Sequence, residues 1–162
     1  LANVENYFLI QKYRFDDKLE LKIKLPRDDD EISKTRIPKL TLQPIVENAI
    51  KHGLEPKVSG GTVVIDIEHS DTILYLSVID DGIGIEEARL GSLNEKLSRM
   101  DAGDGSANEG GKGGIALINV NSRIRLLMGD EYGLHILSTP GIGTEVCLIL
   151  PYMFEPQEGR KS

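Results

Sequence analysis

"VIDDGIGIEE", residues 78–87, carries an apolar run into two aspartates and two glycines. Asp80, Asp81, Gly82 and Gly84 stand where a strand would otherwise end in a plain turn. Asp-Gly is a common turn dipeptide, so a turn alone would account for it. The same residues also suit a nucleotide pocket, with a carboxylate aimed at a base and glycines leaving room for the ring. The neighbouring elements decide between the two.

Working outward, "GGTVVIDIEHS" and "TILYLSVIDD" read as two strands joined around Ser70 and Asp71, a hairpin. "LELKIKLP" alternates strictly, with Leu19, Leu21, Ile23 and Leu25 on one face and Glu20, Lys22 and Lys24 on the other. That is a half-buried strand. "YGLHILSTPGIGTEVCLILP" closes the chain as a second hairpin turning at Thr139, Pro140 and Gly141. The strands are expected over 19–25, 62–69, 72–80, 131–138 and 143–150.

Between them lie helical patterns. "LANVENYFLIQKYRF" has apolar residues at mixed three and four spacings. "IPKLTLQPIVENAIKHG" carries the stripe Leu42, Ile45, Val46, Ala49 and Ile50, with Pro38 suited to a start and Gly53 to a stop. Pro44 inside it predicts a kink or a second start. "GIALINVNSRIRLLMG" returns to helical spacing and stops at Gly129. Helices are expected over 38–53 and 114–128, on one face of a mixed sheet, the other face being more polar or covered by partners. This is an α+β two-layer sandwich rather than a doubly wound sheet. "EEARLGSLNEKLSRM" has room for a short helix, the Gly-rich "DAGDGSANEGGKGG" cannot pack a core, and residues 86–113 are expected to be a lid that orders only around a ligand.

Composition narrows the function. Lys+Arg number 19 against 26 Asp+Glu, a formal net charge of −7, which argues against nucleic acid. The single Cys147 lies in an apolar run without a disulfide partner or a second metal ligand, compatible with cytoplasm. No stretch approaches the length of a membrane span. The chain begins mid-helix and ends in polar "EPQEGRKS", which suggests an excised domain. The expected division is a helix over 1–18 ending a linker from an upstream helical domain, a catalytic domain over 19–151, and a tail over 152–162. P-loop and dinucleotide spacings fail on the glycine stretches, and His69 and His135 have no motif around them.

What remains is an ordered set: "VENAIKHG" on a helix, "DDGIGI" after a strand, "GGKGGIALINV" running into a helix, and "TPGIGTEV" at a hairpin bend. In that order they resemble the N, G1, G2 and G3 boxes of the ATP-binding fold shared by sensor histidine kinases, type II topoisomerases, heat-shock chaperones and mismatch-repair ATPases. The resemblance covers about residues 36–150 and implies the Bergerat-type (GHKL ATPase) sandwich. "LTLQPIVENAIKHG", with Asn6, Tyr7, Ile10, Arg14 and Phe15 upstream, looks closest to the YesM-type and autolysis-regulating sensor kinases.

The resemblance implies Mg-ATP as ligand, with roles that chemistry supports residue by residue. Asn48 offers a neutral amide oxygen to Mg2+. Lys51, three residues on, shares its helix face and reaches phosphate, while His52 touches ribose or caps carbonyls. Asp80 accepts from the adenine amino group, with Gly82, Gly84 and Ile85 shaping the base pocket and Thr144 joining through a bridging water. Asp81 is left as turn structure. Lys112, Gly113, Gly114 and Leu117 belong to the phosphate lid and its helix. Ala116 stands where the box has glycine, which puts close phosphate approach there in doubt.

In ATP-hydrolysing relatives a glutamate one turn before the asparagine polarises water; here that position is Pro44, and the adjacent Glu47 is the candidate catalytic group. The implied function is phosphotransfer from ATP to a histidine on an upstream dimerisation domain, then to a response regulator. The whole protein is expected to be a membrane-bound bacterial homodimer with this domain in the cytoplasm. A hydrolysing ATPase or chaperone module, or a nucleotide-dead interaction module, are the alternatives.

Overall fold

Alternation along each strand sorts the side chains of the sheet onto two faces. In the computed structural model, which describes residues 2–14, 18–26, 37–38, 41–57, 59–99 and 112–152, five strands form one sheet. They are β1 (Leu19–Lys24), β2 (Gly61–His69), β3 (Ile73–Asp80), β4 (Gly133–Thr139) and β5 (Gly143–Pro151). Their spatial order is β1-β2-β3-β5-β4. β1 and β2 run parallel and every other pair is antiparallel, so the sheet is mixed. Ile23, Ile65, Val78, Val146 and Ile136 lie opposite one another in a single row across all five strands.

That row belongs to the face carrying Val63, Leu74, Leu76, Leu134, Leu148 and Leu150, all buried. Ile45, Val46, Ile50, Leu54, Leu117, Val120 and Ile124 from the helix layer complete one core with it. The opposite face exposes Glu20, Lys22 and Lys24 on β1 and pairs Ser77 Oγ with Glu145 at 2.8 Å on the central strands. It also shows Tyr75 and Leu137 to solvent. The expectation of one helix-covered face holds, and the second face is mixed rather than plainly polar.

The second helix differs from its expected form. It begins at Leu42, not at Pro38: α2 spans Leu42–Asn48. Pro44 therefore falls in the first turn, where its missing N–H leaves no hydrogen bond unmade and no kink is required. The helix does not stop at Gly53 either. Residues Ala49–Leu54 continue as a π-helical segment, closed by Glu55 N–H to Ile50 O at 2.8 Å. Leu54, beyond the supposed stop, is fully buried and holds the extra turn in the core.

The helix α1 (Ala2–Arg14) lies along α2 and β1. Phe8 is buried with the core, and Arg14 Nη2 bonds Glu55 Oε1 at 2.9 Å. Phe15 and the tail over 153–162 lie outside the described residues.

The short helix expected at the start of residues 86–113 is present, and its docking corrects the reading of that first half as part of a ligand-ordered lid. Glu87–Ser98 form α3, with Leu97 buried and Leu90 and Leu93 against the core. Asn94 Nδ2 donates to Ile136 O at 3.2 Å, so the helix is docked on β4. Leu90, Leu93 and Leu97 repeat at helical spacing, enough apolar area to seat it without a ligand. Residues 100–111 lie outside the described residues. α4 (Lys112–Met128) follows and ends at Gly129, whose φ of 118° suits only glycine. Asn121 on α4 is buried and pins three elements, donating to Leu97 O and accepting from Leu134 N–H, each at 2.8 Å.

No helix among the described residues is long and apolar enough to cross a membrane.

Candidate functional site

The alternation that buries Leu74, Leu76 and Val78 also turns Asp80 inward. A carboxylate at the end of β3 thus points into the helix side of the sheet, 5 % exposed, instead of into water. Burial pushes its pKa up to about 6, against the pull of backbone N–H groups from Gly82 and Thr144. Gly82 N–H donates to Oδ1 at 2.9 Å, which assigns that oxygen.

Glycines make this geometry possible. A Cβ on Gly53 would stand 2.5 Å from Asp80 Oδ1, so the last π turn closes on the carboxylate only because it is bare there. Gly82 touches the Gly53 backbone where a Cβ would collide, and Ile83 N–H bonds Gly53 O at 3.0 Å. Gly84 has φ 72° and abuts Thr139 O. The loop after β3 is thereby stitched to the π segment on one side and to the β4–β5 turn on the other, through Gly141 N–H to Ile83 O at 2.7 Å.

Thr144 lies directly across from Asp80 in the β3–β5 pairing and is buried. Its hydroxyl shares a hydrogen with Ser138 Oγ at 2.9 Å. Ser138 in turn accepts from Ile85 N–H at 2.9 Å, which fixes the start of the loop leading to α3. Asp81 is occupied elsewhere: its Oδ1 accepts Thr62 N–H at 2.9 Å and Lys57 Nζ bonds its carbonyl at 2.7 Å. Asp80 and Asp81 are adjacent in sequence and opposite in use, because strand alternation sends one in and one out.

On the helix side, Glu47 is half-buried and its Oε1 accepts from Gln43 Nε2 at 2.9 Å, one turn back. Asn48 is half-buried and makes no side-chain hydrogen bond among the described residues. Lys51 and His52 are exposed. The His52 pKa is lowered by partial burial and then by the charges of Arg89 and Lys51. The π winding changes one expectation: i→i−5 bonding adds roughly one residue per turn, so Lys51 rotates off the face it would share with Asn48 in an α-helix.

Across from α2, a cleft of about 400 Å³ runs between the helices, lined by Gln43, Pro44 and Glu47 on one side and Ala116, Asn119 and Arg123 on the other. Ala116 and Glu47 thus face the same space. Leu117 does not: it is 1 % exposed, a core side chain with no surface to offer a ligand. Gly114 is half-buried in the first turn of α4, near Leu93. Lys112 and Gly113 open α4, and their side-chain positions lie outside what is described.

Three residues that hold this site together escape a reading of the sequence: Gly53, Ser138 and Asn121. For Gly53 a signal exists, since apolar Leu54 follows it and a helix that ended at Gly53 would expose that side chain. Ser138 and Asn121 carry no local signal, as their partners are distant in sequence.

A model of the family described as "Histidine kinase-, DNA gyrase B-, and HSP90-like ATPase" matches residues 34–153. The chain is 37% identical over 152 residues to the sensor protein LytS of Oceanobacillus iheyensis, covering 94% of this chain and 24% of that protein. It is 34% identical over 148 residues to the sensor histidine kinase YesM of Bacillus subtilis, covering 91% and 22%. The chain therefore spans about a quarter of the length of these relatives. Among solved structures, the catalytic domain of the histidine kinase ThkA aligns with a TM-score of 0.61 at 18% identity, over 93% of this chain and 88% of that one. The histidine kinase domain of the Erythrobacter litoralis blue-light activated kinase aligns at 0.55 and 17%, over 93% and 60%. Fold, box order and family match agree: the chain belongs to the histidine kinase-, DNA gyrase B- and HSP90-like ATPase family.

Proposed function

We propose that this chain is the Mg-ATP-binding catalytic domain of a two-component sensor histidine kinase. It presents ATP to a histidine on an upstream dimerisation domain, for relay to a response regulator. The observation that carries the reading is Asp80: a buried carboxylate with one oxygen held by Gly82 N–H, beside a glycine whose Cβ would fill the space against it. Sensor kinases among the relatives support the phosphotransfer half. A membrane-bound, dimeric whole protein with this domain on the cytoplasmic side belongs to the same proposal.

The residues fit adenine at Asp80. The second carboxylate oxygen accepts the exocyclic N6–H, a charge-assisted hydrogen bond in a site shielded from water. Gly82, Gly84 and Ile85 form the loop against which the ring rests, and Thr144 N–H helps keep the carboxylate oriented. Asn48 has an amide oxygen with no hydrogen-bond partner among the described residues, a hard neutral ligand suited to Mg2+ alongside phosphates and water. Lys51 and His52 are exposed, and in this reading they reach phosphate and ribose from the π segment. Lys112, Gly113 and Gly114 start α4, whose free N–H groups suit anionic oxygens, and Leu117 supports that turn from the core.

ATP bound there supplies an activated γ-phosphoryl group. Glu47, its carboxylate held by Gln43 at the cleft, accepts the ring proton of the acceptor imidazole as it becomes a nucleophile.

Calorimetry with ATP and GTP tests the base site. Guanine offers O6 where adenine offers N6–H, so the carboxylate rejects it. ATP should bind roughly tenfold or more tighter, the scale of one charged hydrogen bond. Equal affinities would remove Asp80 from base recognition.

A further inference from the structure

Leu9, Ile10 and Tyr13 on α1 are 53 %, 66 % and 79 % exposed, although the same helix buries Phe8 in the core. Exposed apolar residues scattered singly need no account, but these three are neighbours. Spacings of three and four join them, with exposed Asn6, into one stripe along the outer side of α1. The helix thus has two apolar sides, and α2 and β1 take only the one that carries Phe8. Nucleotide binding uses neither the stripe nor the residues at its ends.

Those ends decide what fits the stripe. Glu5 lies in the first turn and Arg14 in the last, both exposed. Leu9 and Ile10 stand midway between them, and about that midpoint Asn6 mirrors Tyr13 as Glu5 mirrors Arg14. A second α1 laid antiparallel, on a two-fold axis between Leu9 and Ile10, sets Leu9 against Ile10 of the partner subunit. The same axis brings the Asn6 amide to the Tyr13 hydroxyl and the Glu5 carboxylate to the Arg14 guanidinium, each twice. A parallel copy would instead oppose like charges. Arg14 Nη2 holds Glu55 Oε1 at 2.9 Å, and the five N–H groups of a guanidinium serve more than one carboxylate. A lipid surface favours basic flanks, and Glu5 stands against that occupant.

We propose that the outer face of α1 is a docking surface for a second copy of this chain, closed as an antiparallel two-fold helix pair through Leu9, Ile10 and Tyr13. So narrow a stripe buries less than the roughly 1,200 Å² at which specific, stable interfaces begin, so isolated chains associate weakly. Two copies held in one molecule by a short linker meet at an effective concentration of about millimolar, and there the pair closes. In the dimeric whole protein of the proposed function, the contact ties one catalytic domain to the other. The pairing itself does not rest on ATP binding.

Sedimentation equilibrium of the 1–162 chain, taken to millimolar concentration, tests the proposal. A monomer–dimer equilibrium is expected, abolished by Leu9→Asp with an unchanged Tm because Leu9 is exposed. Glu5→Arg and Arg14→Glu each create two like-charged pairs per dimer and should weaken it about threefold to tenfold. Both changes in one chain should restore it. Disulfides, which need Cα atoms within about 7 Å, read the orientation in a Cys147→Ser background. A mixture of Asn6→Cys and Tyr13→Cys chains should cross-link, and neither chain should do so alone. A chain that stays monomeric, a dimer indifferent to Leu9→Asp, or self-cross-linking of each single variant in place of the mixed product overturns the inference. So does a monomer that binds vesicles of phosphatidylcholine and phosphatidylglycerol through the stripe, which would make the occupant a lipid surface. A chain that pairs as expected and does not bind ATP would leave the pair standing and remove the proposed function.

Discussion

Asp80 and Asp81 differ by one position and by everything that matters to them. Alternation sends Asp80 inward beside Gly53 and Asp81 outward to Thr62 and Lys57. The D-x-G-x-G spacing, read together with the resemblance to the G1 box, points to Asp80 rather than Asp81. The matching glycine on the other wall, Gly53, looks like a helix stop until the fold places it 2.5 Å, by its missing Cβ, from the carboxylate. Gly53→Ala should therefore overpack the site. A loss of about 1–3 kcal/mol in denaturant unfolding is expected, together with loss of ATP binding. Unchanged stability and binding would mean that this contact is loose.

Titration at Asp80 has a definite sign. The carboxyl pKa is raised in the folded, nucleotide-free chain to about 6, so the protonated form is the one folding favours. Its contribution to stability is present below about pH 4, the ordinary carboxyl range, and is lost as pH rises through about 6. The stability of wild type relative to Asp80→Asn should accordingly fall over that interval in thermal unfolding. Binding runs the other way: adenosine, which has no phosphate to titrate, should bind more weakly below about pH 6. A flat profile for both quantities would place the base elsewhere.

Elements separate according to what local pattern can encode. Strands with strict alternation are found within a residue or two of their expected limits. The helix of the N box is not, because a π turn has no composition of its own. It exists because Leu54 is buried, and because Gly53 must reach Asp80. The segment after β3 is read correctly as holding a short helix but wrongly as one lid, because its glycine-rich second half lowers the apolar content of a window whose first half, with Leu90, Leu93 and Leu97, docks on the core. Hydrogen exchange distinguishes the two behaviours. Amides within α3 should be protected with or without nucleotide. Those of Gly113–Ile115, whose first-turn N–H groups lack intrahelical partners, should gain protection when a nonhydrolysable ATP analogue binds. Protection there that ignores nucleotide would deny the phosphate role of the α4 N-terminus.

At the scale of the molecule, order along the chain carries most of the information: α, β, α, hairpin, helix, hairpin already requires a mixed sheet with helices on one side. The parallel β1–β2 pair does not follow from either strand alone. It arises because the N-box helix crosses from one to the other, returning the chain in the same direction. The site itself is a product of that crossing, since it brings the end of the π segment against the end of β3. Its layout was legible where a motif singles out one residue, as at the buried Asp80. It was hidden where the task is to hold another residue, as at Ser138 and Asn121.

The central claim is that Asp80 accepts the amino group of adenine. Gly82 N–H fixes an oxygen at Oδ1, so Asp80→Asn must turn its amide nitrogen toward the base, presenting a donor to a donor. Calorimetric titration of wild type and Asp80→Asn with ATP and ITP, which differ by an N6 amino group or an O6 oxygen, reads this directly. Wild type should prefer ATP. The variant should lose ATP affinity by roughly ten- to a hundredfold, the equivalent of about 1.5–3 kcal/mol, while its affinity for ITP is retained or improved. An Asp80→Asn chain that binds ATP as tightly as wild type, with the same preference over ITP, would contradict the account.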